Sequence, residues 1–272
     1  VIERDVPTAD GRTVHVFDTG AGSTTVFWHH GSPQTGAPLE PVPKAAESRD
    51  IRLVSYARPS YGGSSPQPGR TVADAAVDTL AVADALGLDT FATMGASGGG
   101  PHALAAAALL KGRATAAVTL AGIAPFTTGF DWFDGMAAPD GLRSAFVSRG
   151  ARAAFGEVDE FDPNSFNTLD YAALDGEWKS LGDDVGRSEK WGDDGLIDDD
   201  VAFASPWGFT LGAIDRPVLL IQGGDDRVIP AAHAEWMSKH IPTAELWSRP
   251  RDGHVSVLSA VPLAFDWLRQ AT

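Results

Sequence analysis

The sequence predicts an open, mostly parallel α/β sheet with helices on both faces, interrupted late in the chain by a helical insertion. Three observations predict it. Eight short apolar runs have strand character, helical stretches alternate with them from Thr24 onward, and the alternation fails between residues 126 and 212, where aromatic residues accumulate.

Val1 to Val6 and Thr13 to Asp18 read as two strands around a turn at Asp10-Gly11, an antiparallel hairpin at a sheet edge. Thr24 to His29 is a third strand whose continuous apolar run buries both faces, and it ends in His30-Gly31-Ser32-Pro33. Asp50 to Tyr56 is the fourth, followed by the turn-rich loop Arg58-Pro59-Ser60-Tyr61-Gly62-Gly63-Ser64. From Val72 to Leu86, Val72, Ala76, Leu80, Ala83 and Leu86 share one helical face, with Asp74, Asp78 and Asp84 off it. Phe91 to Met94 and Ala116 to Leu120 are the next strands, separated by a helix that begins at Ser97. After the insertion come a buried strand at Pro217 to Gln222, a helix at Pro230 to His240, a strand around Glu245 to Trp247 and a helix at Pro262 to Gln270. Parallel sheets of this kind bind ligands at the carboxyl ends of their strands, where the glycine-rich loops after His29, Tyr56 and Met94 gather.

Composition sets the outer limits. The 272 residues, 43% of them hydrophobic, suit one α/β core carrying an insertion, with residues 1–125 and 213–272 as core and 126–212 as a folded helical cap. A disordered linker would be poor in aromatics, whereas this stretch holds Phe126, Trp132, Trp191 and Trp207 among others. Without cysteine there is no disulfide framework, thiol nucleophile or thiolate metal site. No run approaches the ~20 apolar residues of a membrane span, and a cytoplasmic location is the expectation. The start at Val1 is compatible with removal of a targeting segment. A formal charge of -15 argues against nucleic acid or an anionic membrane as partner, leaving a small-molecule substrate. Residues 157–200 carry 15 carboxylates against three basic groups, so this segment alone holds -12. An acidic, solvated outer face is expected there. The aspartates at 193–194 and 198–200 lack the spacing of a calcium loop, and neither a metal nor a cofactor is expected.

The chemistry is concentrated in Gly95-Ala96-Ser97-Gly98-Gly99, a G-x-S-x-G pattern between an apolar strand and an Ala/Leu-rich helix. A tight strand-to-helix turn exposes the hydroxyl at its apex and brings backbone segments so close that glycine is needed on both sides. The following helix turns its positive end toward that hydroxyl, where negative charge develops in acyl transfer. Such a serine needs a base. His254, on a loop after the last strand, fits, and its orienting carboxylate falls after the preceding strand at Asp225 or Asp226, giving the chain order serine, acid, histidine. Two amides complete the arrangement as an oxyanion hole, those of Gly98 and Ser32. The remaining histidines read as structural. His30 braces its loop, His102 points away from Ser97, and His15, His233 and His240 are expected at the surface.

On these motifs the chain resembles the α/β-hydrolase superfamily, over nearly its whole length. The pattern Gly223-Gly224-Asp225-Asp226-Arg227-Val228-Ile229-Pro230 matches the family's G-x-x-D-x-x-[VI]-P and implies Asp226 as the acid. The resemblance implies an eight-stranded sheet and a cap similar to that of epoxide hydrolases, haloalkane dehalogenases and proline iminopeptidases. The first two have aspartate at the elbow, where this chain has Ser97, and the third usually shows G-G-S-W-G. Esterase-like hydrolysis through an acyl-serine is therefore the leading expectation, with Phe126, Trp132, Trp191 and Trp207 as pocket candidates and an apolar ester as substrate. Aminopeptidase, lactone, thioester and C-C bond cleavage use the same three residues, and a non-catalytic receptor on this fold is the reading from another class.

Overall fold

The computed structural model describes residues 1–272. Eight strands form one sheet, β1 (Ile2–Pro7), β2 (Thr13–Asp18), β3 (Thr24–His29), β4 (Ile51–Tyr56), β5 (Phe91–Ala96), β6 (Ala114–Leu120), β7 (Val218–Gly223) and β8 (Ala244–Arg249). Their order is β1-β2-β4-β3-β5-β6-β7-β8. The hairpin and the β2·β4 pair are antiparallel, and every pair from β4 to β8 is parallel.

Successive strand residues serve opposite faces, and both faces are buried. Val26, Trp28, Leu219 and Ile221 pack on one side with Val261, Phe265 and Leu268 of α10 (Val261–Ala271) and Val42 of α1 (Pro41–Glu47). Phe27 and Val54 face the other side against Val82 of α2 (Asp74–Ala85), and Val218 and Leu220 face it against Met237 of α9 (Ala231–His240). The helix α3 (Gly99–Leu109) lies under the centre of the sheet on that side, its small side chains letting it contact β3, β5 and β6 together. The helix α1 is not predicted by the sequence pattern, because its seven residues include two prolines and carry little periodicity.

Between β6 and β7 lie five further helices, α4 (Asp140–Val147), α5 (Arg149–Gly156), α6 (Thr168–Asp175), α7 (Lys179–Ser188) and α8 (Asp194–Ala204), joined by short 3-10 turns. The expected solvated acidic face is corrected here. Asp170, Asp184, Asp198, Asp199 and Asp200 are buried. Each finds donors that pattern alone cannot supply. Asp170 accepts from the amides of Val255 and Ser256 at 2.9 and 2.8 Å, and Asp184 from the amide and hydroxyl of Thr35 at 3.0 and 2.7 Å. Asp199 meets two arginines, and three carboxylates from three helices thus tie the inserted segment to three loops of the sheet edge. Asp78 of α2 is likewise buried rather than off the packed face, because Arg12 reaches it at 2.7 Å. His233 also departs from its expected surface position. It is fully buried, Nδ1 accepting from the Ala124 amide at 3.2 Å and Nε2 donating to the Trp132 carbonyl at 2.9 Å.

Candidate active site

The turn after β5 holds Ser97 at φ 53°, a left-handed conformation that costs a non-glycine residue energy. Closed contacts enforce it. A Cβ on Gly95 would lie 2.2 Å from the Gly99 carbonyl oxygen, and one on Gly99 would lie 2.0 Å from the oxygen of His29. The Ser97 amide donates to Leu120 at 2.8 Å, which pins the turn to β6. Its side chain stands at the carboxyl end of the sheet, where the in-register pairs His29·Gly95 and Ala96·Leu120 align the strand ends.

Ser97, His254 and Asp226 are brought together. Ser97 Oγ lies 2.9 Å from His254 Nε2, and His254 Nδ1 lies 2.9 Å from Asp226 Oδ2 and 3.1 Å from Oδ1. The carboxylate on Nδ1 fixes the tautomer, with Nδ1–H donating to Asp226 and Nε2 accepting from the serine hydroxyl. Asp226 is itself held by the amides of Val228 and Ile229 at 2.9 and 2.8 Å and by Gln222 Nε2 at 3.2 Å. Asp225, the other sequence candidate, turns outward to Arg227 and accepts from Asn167 at 3.1 Å. Burial lowers the pKa of His254, but the attraction of Asp226 outweighs it and the net shift is upward from 6.5. The backbone of the histidine loop is fastened from the inserted segment, since Asp170 accepts from the amides of His254, Val255 and Ser256.

The Ser32 loop comes within reach of the same hydroxyl. A Cβ on Gly98 would lie 2.5 Å from Ser32 Oγ, so the two residues face each other across the cleft beside Ser97. His30 braces this loop as its position suggested, Nδ1 donating to the Gly31 carbonyl at 2.6 Å and Nε2 accepting from the Arg58 amide at 3.1 Å. Burial and the nearby Arg58 charge keep it neutral, well below the ordinary imidazole range. His102 donates from Nδ1 to the Gly98 carbonyl at 2.8 Å and is a core residue.

Sequence reasoning missed the ionic group behind the loop. Asp199 Oδ2 accepts from Ser32 Oγ at 2.6 Å, from Arg58 Nη2 at 2.7 Å and from Tyr61 Oη at 3.0 Å, while Oδ1 accepts from Arg70 Nη2 at 2.8 Å. Arg58 also donates to the His30 and Gly31 carbonyls. Burial pushes the Asp199 carboxyl up, but Arg58 and Arg70 pull harder and hold it well below the ordinary carboxylate range. The sequence did carry a signal. In α8 the three aspartates at 198–200 sit among Leu196, Ile197, Val201 and Phe203, too apolar a neighbourhood for a fully solvated face.

Two hollows flank Ser97 and share Ser32, Ser165, Leu196 and Val228 in their walls. The larger, about 510 Å³, is lined by Phe161, Phe166, Leu174, Leu181 and Val185 of the inserted segment and reaches His254. The smaller, about 140 Å³, is lined by Gly98, Ile123, Leu142, Asp200, Phe203 and Ile229 among others. None of the four aromatics expected to line the pocket does so. Trp132 and Trp207 are buried in the packing beneath the segment, Trp132 donating to the Ala124 carbonyl at 3.1 Å. Phe126 and Trp191 lie on the outside, 46% and 38% exposed. An aromatic count shows that an insertion folds, but not which side of it each ring occupies.

Comparison with known proteins agrees with this architecture. A family model described as alpha/beta hydrolase fold matches residues 24–261. A thermophilic esterase from Thermogutta terrifontis superposes with a TM-score of 0.73 at 21% identity, covering 100% of this chain and 99% of that one. A bromoperoxidase from Bacillus anthracis gives 0.74 at 19% identity, covering 99% of each chain. In sequence, a pimeloyl-[acyl-carrier protein] methyl ester esterase of Nitrosomonas europaea is 45% identical over 49 residues, 18% of this chain. The chain spans 19% of that relative's length in the match. With a family model covering most of its length and an eight-stranded sheet of the corresponding topology, the chain belongs to the alpha/beta hydrolase fold family.

Proposed function

We propose that this protein is a serine hydrolase that cleaves a small carboxylic ester through an acyl-Ser97 intermediate. The observation that carries the reading is the hydrogen-bonded series Ser97, His254, Asp226, with both links at 2.9 Å, opening on an apolar hollow. His254 takes the hydroxyl proton as Ser97 attacks the ester carbonyl, and Asp226 stabilises the imidazolium that forms. The amides of Ser32 and Gly98 stabilise the oxyanion, each contributing roughly 3 to 4 kcal/mol in comparable sites. His254 returns the proton to the departing alcohol. A water molecule, deprotonated by the same imidazole, then releases the acid.

The helical segment at 126–212 acts as a cap in this scheme, its leucines and phenylalanines supplying an apolar wall for the substrate. A carboxylic ester as substrate is in keeping with the methyl ester esterase to which a short stretch of the chain is similar. The deciding test is hydrolysis of p-nitrophenyl acetate and butyrate by wild type and Ser97→Ala. The variant is expected to lose activity by roughly 10⁴- to 10⁶-fold with an unchanged circular dichroism spectrum. Retained turnover would exclude Ser97 as nucleophile.

A further inference from the structure

The helix α8 presents Leu196, Asp200 and Phe203 to the small hollow, the i, i+4, i+7 positions of one helical face. A carboxylate in the middle of an otherwise apolar stripe is costly to bury without full compensation. Asp199 and Asp198 turn to other faces, where they meet Arg58, Arg70 and Arg149. Asp200 has one partner, Arg152, whose Nε donates to Oδ2 at 2.6 Å. Its Oδ1 accepts no hydrogen bond, and the residue lines the small hollow. Ser165 lines both hollows.

The two hollows are not equivalent with respect to the ester. In the proposed reaction the alcohol oxygen must receive its proton from His254 Nε2, so the leaving group departs on the side of that histidine. His254 lines the larger hollow and not the smaller, whereas Gly98 lines the smaller and not the larger. The acyl chain is thereby directed into the smaller one. At about 140 Å³ it is close to the ~150 Å³ of an apolar cavity that accepts benzene, room for an acyl group of about six heavy atoms.

Resting on the serine-hydrolase reading, we infer that the small hollow is the acyl site and that Asp200 Oδ1 selects a short acyl group bearing a hydroxyl. A neutral donor is favoured over an ammonium group. Arg152 already compensates the carboxylate, and a second cation beside its guanidinium would be repelled. A hydroxylated acyl chain gives Oδ1 the hydrogen bond it lacks, and its deoxy counterpart leaves a desolvated carboxylate oxygen unpaired.

The test compares p-nitrophenyl 2-hydroxybutyrate, 3-hydroxybutyrate, 3-aminobutyrate and butyrate, with wild type, Asp200→Asn and Asp200→Leu. Wild type is expected to favour one hydroxybutyrate over butyrate by about tenfold or more in kcat/KM, with the ratio falling toward one in Asp200→Leu and lying between in Asp200→Asn. Both esters are assayed on the same enzyme preparation, so partial misfolding of a variant cancels in the ratio. A wild-type ratio near one, or a preference that survives Asp200→Leu, overturns the assignment while leaving the serine hydrolase intact. A larger preference for the aminobutyrate would overturn the neutral donor. If no butyrate hydrolysis depends on Ser97, the underlying reading falls and this one with it.

Discussion

At the scale of single residues, the candidate site is governed by two carboxylates with opposite surroundings. Asp226 receives two amides and holds His254, whose pKa is shifted upward from 6.5. In the proposed reaction His254 must be neutral to accept the serine proton, so kcat/KM is expected to rise with pH along a limb whose midpoint lies above 6.5. Asp226→Asn should move that midpoint down and cut kcat by about 10⁴-fold, measured on p-nitrophenyl butyrate across pH 5 to 9. Because the folded pKa of His254 is raised, its stabilising contribution is complete below 6.5 and is lost as pH climbs through the folded value. Asp199 does different work. It meets no solvent and fastens Ser32 to Arg58 and Arg70, so Asp199→Asn leaves two buried guanidinium groups short of their counter-charge. Urea unfolding should register a loss of about 3 to 5 kcal/mol. On the folded fraction, kcat should fall about tenfold to a hundredfold as the Ser32 amide drifts from the oxyanion position proposed for it.

At the scale of elements, β5, its turn and α3 form a unit in which backbone closeness decides the sequence. Gly95 and Gly99 are required by contacts of 2.2 and 2.0 Å, while Ser97 occupies a left-handed conformation for its hydroxyl rather than for its backbone. Removing the hydroxyl separates these two demands. Ser97→Gly should melt higher than Ser97→Ala, by about 1 to 2 kcal/mol in unfolding free energy, since both lack the hydroxyl and only glycine relieves the φ of 53°. The helix α8 illustrates the same economy in side chains. Its consecutive aspartates project about 100° apart, so one run of sequence serves the Ser32 loop through Asp199, Arg149 through Asp198 and the small hollow through Asp200.

Across the whole molecule, four buried histidines set the response to acid. His29 is held down at about 3 and His233 at about 4, chiefly by burial, and His30 and His102 lie well below the ordinary range for the same reason. Below pH 6.5 the unfolded chain takes up protons at these positions and the folded chain does not, so stability falls as pH drops. His254 opposes this, and so does Asp200, whose carboxyl is pushed by burial to about 6, but the four histidines outnumber them. Thermal melts are expected to show a clear decrease in Tm from pH 7 to pH 5. An unchanged Tm over that interval would mean that these imidazoles accept protons without unfolding.

The sequence by itself determined the sheet, the order of its strands along the chain and the loops that gather at its carboxyl edge. Those features rest on short-range rules: apolar runs make strands, helical periodicity makes the crossovers, and glycines beside a serine mark a tight turn. Motif spacing likewise nominated Ser97, His254 and an acid at Asp225 or Asp226, and the resemblance to the α/β-hydrolase superfamily implied Asp226. What only the tertiary structure decided is where the insertion's charge and aromatic rings go. Fifteen carboxylates in residues 157–200 look like a solvated face when counted, yet Asp170, Asp184 and Asp199 are buried because Thr35, Arg58, Arg70 and the amides after Gly253 wait for them far away in sequence. Trp132 and Trp207 face the core and Trp191 faces outward for a related reason. The energy of a buried charge or ring depends on what surrounds it in space, and for partners 80 to 150 residues apart that is set by the packing of the whole chain.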